Sequence, residues 1–87
     1  MIKVYSNLHC AFAAQHLIKQ LHKIGHEAQI IDEWDPNDDS LHILYQVAHT
    51  WNLPKNYILQ QTEPHNSHWF NDHYRDVNIK NALAVWE

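Results

Sequence analysis

The strongest constraint on the fold is the order of hydrophobic patterns in residues 1–31. Ile2 to Tyr5 and Ala28 to Ile31 are short apolar segments, rich in β-branched residues and typical of strands. Between them, apolar residues recur at helical spacing, at Cys10, Ala14, Leu17, Leu21 and Ile24. Because a strand, a helix and a second strand follow one another so closely, we predict a right-handed crossover between two parallel strands.

The residues at its two ends predict the limits of this helix. Asn7 is a suitable N-cap, because its side chain can accept a hydrogen bond from a backbone N–H of the first turn. Gly25 follows the last apolar position, where helices commonly end with a residue in the left-handed conformation. We therefore predict a helix from the Asn7 cap to about Ile24. Gly25 is also the only glycine of the chain, which excludes a glycine-rich phosphate-binding loop.

The second half of the chain predicts three further strands. They are Leu41 to Val47, Tyr57 to Gln60 and Ala82 to Trp86, and an acidic, turn-rich loop, Asp32 to Ser40, precedes the first of them. A second helix is predicted between the last two strands, where aromatic residues have helical spacing at Trp69, Phe70, His73 and Tyr74. The chain order is β-α-β-β-β-α-β. It predicts one small three-layer, Rossmann-like α/β domain over residues 1–87 with a mainly parallel sheet, and a thioredoxin-like fold is the alternative.

Composition narrows the class of protein. The formal net charge of −4 gives no electrostatic footprint for nucleic acid or for an anionic membrane. No apolar run approaches the ~20 residues that a membrane span needs. The single cysteine excludes an internal disulfide framework and is typical of a reducing compartment. We therefore expect a cytoplasmic protein that binds neither nucleic acid nor membranes, and no residue pattern indicates a cofactor.

Cys10 suggests a redox function. Residues 4–13 (VYSNLHCAFA) resemble the active-site corner of glutaredoxins, in which a cysteine opens the helix after the first strand. A thiol in the first turn of a helix feels the helix dipole, which favours the thiolate. Ala13 stands where a resolving cysteine would be, so the hypothesis is a monothiol, glutaredoxin-like oxidoreductase that uses Cys10. The competing interpretation is that Cys10 is a small buried residue at the start of the apolar helical face.

The histidines raise the question of a metal site. His65, His68 and Asp72 are spaced i, i+3 and i+7, which places them on one face of a helix. Zinc sites need three or four convergent ligands with supporting hydrogen bonds. The chain has nine histidines, and a histidine-rich surface produces such spacings by chance. These three residues are the metal candidates, but we expect solvated surface side chains and no metal.

Three segments resemble the N-terminal domain of GT-B-fold glycosyltransferases. They are residues 53–63 (LPKNYILQQTE), 67–70 (SHWF) and 82–87 (ALAVWE). Members of this group have a strand that ends in Tyr-Gln-Thr-Glu or a close variant, then a helix with a Trp-Phe step, then a strand of the Ala-x-x-Val-Trp type. The Gly-His-Glu sequence at 25–27 is similar to the entry into the second strand of many of these enzymes.

The resemblance implies a function for the parent fold and a limit on this chain. The parent reaction is sugar transfer from a nucleotide donor, and the implied ligand contacts at the carboxyl ends of strands are Gln61 and Glu63, with His9 as a further candidate. In this family the C-terminal domain holds most of the donor, and the chain stops before it. We therefore expect a truncated half-domain that does not catalyse alone. We expect it to act as a binding or interaction module whose partner is a missing C-terminal domain or a second copy, through an exposed sheet edge or the Trp34 and Trp51 surfaces.

Overall fold

The computed structural model describes residues 1–6, 10–45, 52–60 and 74–86. These residues form five strands, one α-helix and one short π-helical segment. In chain order the elements are β1 (Ile2–Tyr5), α1 (Ala11–Lys23), β2 (Ala28–Ile31), β3 (Leu41–Tyr45), β4 (Tyr57–Gln60), the π-helical segment (Tyr74–Ile79) and β5 (Ala84–Trp86). The predicted strands β1, β2 and β4 are confirmed at both ends, and the structure contains the α/β combination that the patterns predict.

The five strands form one parallel sheet in the order β2-β1-β3-β4-β5. Val4 lies opposite Ile30 on β2 and Ile43 on β3, and Leu59 on β4 lies opposite Leu44 and Val85. Every pairing between the described strands is parallel, which confirms the predicted parallel sheet. The thioredoxin-like alternative requires a mixed sheet, and this pairing does not provide one.

One hydrophobic core lies between the sheet and α1. Its buried residues include Val4, Ile43 and Tyr45 from the sheet, with Cys10 and Ala14 from the start of the helix. Three further helical side chains pack against it, and these are Leu17, Ile18 and Leu21. The apolar face predicted for α1 is confirmed up to Leu21.

The predicted ends of α1 need two corrections. The N-cap is Cys10, which makes no capping hydrogen bond through its side chain, whereas the predicted cap Asn7 lies outside the described residues. Ile24 was predicted on the core face but is 69% exposed, because it is the C-cap residue and its φ and ψ of −95° and 11° have already left the helix. Ile18 takes a place in the core that the predicted pattern did not include.

Gly25 ends α1 as predicted. It has a φ of +93°, a conformation that side chains with a Cβ rarely adopt. The amide of Gly25 donates to the His22 carbonyl at 3.1 Å, and the amide of His26 donates to the Leu21 carbonyl at 2.9 Å. These two bonds form a Schellman motif, which satisfies carbonyl groups that the end of a helix leaves without partners.

A second core lies on the opposite face of the sheet. Leu44, Tyr57 and Leu59 are its buried residues, and the side chains packed against them include Trp34, Leu53 and Ile79. These three come from the connections after β2, before β4 and before β5. β3 therefore alternates between the two cores, because Ile43 and Tyr45 face α1 whereas Leu44 faces the second core.

Three predicted elements differ from the structure or extend outside it. The strand predicted from Leu41 to Val47 is described as far as Tyr45, and its last two residues lie outside the described ranges. β5 begins at Ala84 rather than Ala82, because the amide of Ala82 bonds the Ile79 carbonyl and continues the preceding turn. The predicted second helix falls mainly in residues 61–73, outside the described residues, and the part that is described, Tyr74–Ile79, is π-helical.

Candidate functional site

The carboxyl ends of the five strands lie at the same edge of the sheet, because all the strands are parallel. The strands end at Tyr5, Ile31, Tyr45, Gln60 and Trp86. From β1 the chain crosses to β2 through α1 on one face, whereas the connection from β2 to β3 contacts the other face. The connections that follow β1 and β2 therefore lie on opposite faces of the sheet, and the position between β1 and β3 is called the topological switch point. In open parallel sheets, ligands bind at the carboxyl ends of the strands at this point.

Cys10 lies next to the switch point but in the core. It is 9% exposed and belongs to the apolar cluster of Val4, Ala14, Ile43 and Tyr45. Burial raises the pKa of the Tyr45 phenol, and the nearby negative charge of an ionised Cys10 raises it further. A buried thiol in apolar surroundings is typical of a structural cysteine rather than of one that attacks a disulfide substrate.

Trp34 follows β2 and is held by two contacts at the carboxyl edge. Its ring packs edge-to-face against Tyr5 at the end of β1, with ring centroids 5.0 Å apart and an interplanar angle of 90°. Its indole N–H donates to the Asn52 carbonyl at 3.0 Å. Trp34 was predicted to be part of an interaction surface. The structure shows that it packs on the end of β1, an inner strand, and ties the connection after β2 to the segment before β4.

Two grooves meet at Trp34. The first has a volume of about 210 Å³, lies at the carboxyl edge and is lined by Tyr5, Asp32, Glu33 and Trp34. The second has a volume of about 370 Å³ and shares Glu33 and Trp34 with the first. It continues over the sheet face opposite α1, where its remaining lining residues are Lys3, Ile31, Asp35 and Asp38. The described surface on the β2 side of the carboxyl edge is therefore aromatic and acidic.

An ion pair fixes the acidic loop between β2 and β3 onto this face. The Lys3 ammonium on β1 donates to Asp38, and the amide of Ser40 donates to the other carboxylate oxygen of Asp38 at 2.9 Å. The hydrogen bond from Lys3 is the main reason why the pKa of Asp38 lies well below its usual range, and the Ser40 amide lowers it further. Acidic, turn-rich loops are usually solvated, but the Asp38 side chain is only 20% exposed.

The lowered pKa of Asp38 predicts how stability depends on pH. A carboxylate whose pKa is lower in the folded state than in the unfolded chain stabilises the fold. This stabilisation is complete at pH values above the pKa of the unfolded chain, about 3.9, and it is lost as the pH falls through the pKa of the folded state. Between about pH 5 and about pH 2 we therefore expect the wild type to lose more stability than Asp38→Asn, which cannot lose this charge. The measurement is the urea midpoint, followed by tryptophan fluorescence, at a series of pH values.

Asp39→Asn is the control for this experiment. It removes the same charge from the same loop, and the Asp39 carboxylate is 78% exposed and 3.5 Å from the Lys55 ammonium. We expect its pH profile to follow that of the wild type. Parallel profiles for Asp38→Asn and the wild type would show that the Lys3–Asp38 pair does not couple folding to pH.

A buried polar group lies on the same face, toward the amino ends of the strands. His42 is fully buried, and its Nδ1 donates to the Ser40 carbonyl at 2.8 Å, while its Nε2 has no hydrogen-bond partner among the described residues. The Tyr57 hydroxyl donates to the Asn78 carbonyl at 2.6 Å, and burial raises the pKa of this phenol. Both hydrogen bonds attach chain connections to the sheet. In the sequence, the only sign of this arrangement is the polar residue His42 within the apolar strand β3.

Most residues predicted from the sequence to form a site lie outside the described residues. These are the ligand-contact candidates Gln61, Glu63 and His9, the metal candidates His65, His68 and Asp72, and the surface residue Trp51. Within the described ranges, no group of three or more His, Cys, Asp or Glu side chains is placed to hold a metal ion. The residues that the structure does bring together at the carboxyl edge are Tyr5, Asp32, Glu33 and Trp34, which sequence reasoning did not combine.

Comparison with known proteins gives no assignment. No protein-family model matches the chain, and neither the curated proteins nor the solved structures contain a significant match. Among the described residues, no helix has the length and hydrophobicity needed to cross a lipid bilayer. Functional inference therefore depends on the chemistry of the carboxyl edge.

Proposed function

We propose that this chain is a carbohydrate-binding half-domain of the Rossmann-like, three-layer type, equivalent to the N-terminal part of a GT-B glycosyltransferase. The observation that carries the proposal is the parallel strand order β2-β1-β3-β4-β5, with connections that diverge between β1 and β3. This order creates a ligand crevice at the carboxyl edge in doubly wound folds. Carbohydrate is the ligand class that the sequence segments resembling the GT-B group suggest for this crevice.

The charge at this edge supports binding of the acceptor rather than the nucleotide donor. A sugar nucleotide carries a diphosphate, which proteins bind with basic side chains or with glycine-rich loops at helix N-termini. The described grooves carry the carboxylates of Asp32 and Glu33, and their only basic side chain, Lys3, is already paired with Asp38. A neutral saccharide avoids the repulsion that a diphosphate would meet.

The proposal includes a partner that completes the crevice. The side chain of Phe12, in the first turn of α1, is 90% exposed, and that of Trp86, at the end of β5, is 40% exposed. Both residues lie toward the carboxyl edge, where a second domain or a second copy would form the other wall of the cleft. Catalysis is assigned to the completed cleft, because a site with one wall does not exclude water from a reacting donor.

We do not extend the proposal to thiol–disulfide exchange. Cys10 is 9% exposed, and the described strands form no antiparallel pair of the kind that the thioredoxin class contains. The start of α1 is therefore assigned a packing role.

A glycan array tests the proposal. The fluorescently labelled chain is applied to an array of neutral and acidic glycans, and each glycan that binds is then titrated into the ¹⁵N-labelled chain. We expect amide shifts at the carboxyl edge, for example at Ser6 and Asp32, and none at the amino edge near Ile2 and Leu41. We also expect no turnover of UDP-glucose by the chain alone.

Matched variants locate the site on the chain. Gln61→Ala and Glu63→Gln alter the contacts that the sequence predicts, and we expect both to weaken glycan binding. Glu27→Gln makes the same change of charge just before β2, at the opposite edge of the sheet, and should leave binding unchanged. Absence of any bound glycan, or shifts confined to the amino edge, would refute the proposal.

A further inference from the structure

We propose that the outer edge of β2 binds a second copy of this chain, through antiparallel pairing of β2 with the β2 of that copy. The pairing is centred on Gln29, so that Ala28 of each copy lies opposite Ile30 of the other. The proposal does not depend on carbohydrate binding, because β2 and the switch point lie on opposite sides of β1 in the strand order.

The backbone of β2 has hydrogen-bonding groups that face away from the sheet. In the described sheet β2 is an edge strand, paired with β1. The Ile2 amide donates to the Glu27 carbonyl at 2.8 Å. Because successive residues of a parallel strand bond to alternate sides, Gln29 also faces β1, whereas Ala28 and Ile30 face outward. An edge of this kind is a template for a further strand.

One of these outward groups already has a partner within the chain. The Nε2 atom of His22 donates to the Ala28 carbonyl at 2.9 Å, whereas the described residues provide no hydrogen bond for the Ala28 amide or for the amide and carbonyl of Ile30. A carbonyl oxygen has two lone pairs, so that of Ala28 can accept a second bond. Antiparallel pairing of Ala28 with Ile30 of a second copy therefore gives every outward group a partner.

The side chains along this edge are complementary in size. Ile30 lies opposite Val4, which places its side chain on the α1 face of the sheet, and it is 45% exposed. A groove of about 430 Å³ lies next to Ala28, where its lining includes His22 and Gly25 at the end of α1. In the antiparallel pair, Ile30 of one copy lies beside Ala28 of the other and enters this groove. A two-fold symmetric interface makes the same contact twice.

The charges at the two ends of the edge favour the antiparallel direction. The carboxyl end carries the exposed carboxylates of Asp32 and Glu33, whereas the amino end carries Lys23 and His26 together with Glu27. Parallel pairing would place Asp32 and Glu33 against the same two carboxylates of the second copy. Antiparallel pairing places them against the amino end, where the lysine and the histidine lie.

Sedimentation velocity tests whether the chain forms this dimer. Over a concentration range of about 10 µM to 1 mM we expect a reversible equilibrium between monomer and dimer. Amide hydrogen exchange locates the interface. Exchange of the Ile30 amide should slow as the dimer fraction rises, whereas exchange of the Gln29 amide, which faces β1 in both states, should change much less. A chain that stays monomeric over this range would overturn the proposal, and so would exchange at Ile30 that does not depend on concentration.

Substitutions of Ile30 complete the test. Because its backbone groups face outward, neither Ile30→Lys nor Ile30→Thr removes a hydrogen bond to β1, and circular dichroism verifies that both variants fold. We expect Ile30→Lys to raise the dissociation constant of the dimer about tenfold or more and Ile30→Thr to raise it less. Leu83→Lys is the matched control, because Leu83 is 64% exposed and directly precedes β5, at the other edge of the sheet. A dimer that persists in Ile30→Lys but is lost in Leu83→Lys would place the contact at β5 and overturn the proposal.

Discussion

Replacing Leu59 with alanine is expected to lower the free energy of unfolding by about 2–5 kcal/mol. Leu59 is fully buried in the second core, on β4 between Leu44 and Val85. Truncation removes apolar contacts on both sides and leaves a cavity that three paired strands cannot easily close. Domains of this size have a total stability on the order of 5–10 kcal/mol, so the variant should be close to unfolding at room temperature.

Urea unfolding followed by circular dichroism measures this loss. Leu83→Ala is the matched control, because Leu83 directly precedes β5 and is 64% exposed. We expect its urea midpoint to stay near that of the wild type. If both variants lost the same stability, the second core would not be packed as described, and the arrangement of β4 against its neighbours would need revision.

The second large effect is expected from Ala14→Leu. Ala14 is fully buried on α1 and packs with Cys10, Val4 and Tyr45 against the sheet. A larger side chain has no space there, and overpacking of a filled core costs about 1–3 kcal/mol. The helix would have to move away from β1 and β3, the two strands that form the switch point.

Ala13→Leu provides the control for this substitution. It introduces the same side chain one position earlier in the same helix, where the wild-type residue is exposed. Alanine and leucine have similar helix propensities, so the difference between the two variants isolates packing. We expect a lower urea midpoint for Ala14→Leu alone. Equal midpoints would show that α1 does not pack on the sheet through Ala14.

Local features of the sequence were sufficient to predict the positions of most of the strands and of the helix. Strand β4 was predicted at both ends, because a short, continuous apolar run between Pro54 and a polar segment is typical of a buried strand. The end of α1 was equally clear, since Gly25 is a single strong signal whose effect is confined to neighbouring residues. The error at Ile24 has a local origin as well. Helical spacing continues in the sequence for one residue beyond the helix, and periodicity alone does not mark the last turn.

The candidate site, in contrast, depends on contacts between residues far apart in the chain. Trp34 was predicted to be part of an interaction surface, but nothing near it in the sequence indicates Tyr5 or Asn52 as its partners. The Lys3–Asp38 pair likewise joins residues separated by 35 positions. Sequence patterns report which face of an element is apolar, and they do not report which other polar residue approaches it.

The sequence by itself determined that this is a parallel α/β chain with its helix boundary at Gly25, because each of those features follows from spacing and backbone preference within a few residues. Only the tertiary structure decided the strand order, the burial of Cys10 and His42, and the meeting of two aromatic and two acidic side chains at the carboxyl edge. The reason is that strand order and side-chain neighbours are set by the burial of whole faces against one another. That burial depends on the complete set of elements and not on any one segment.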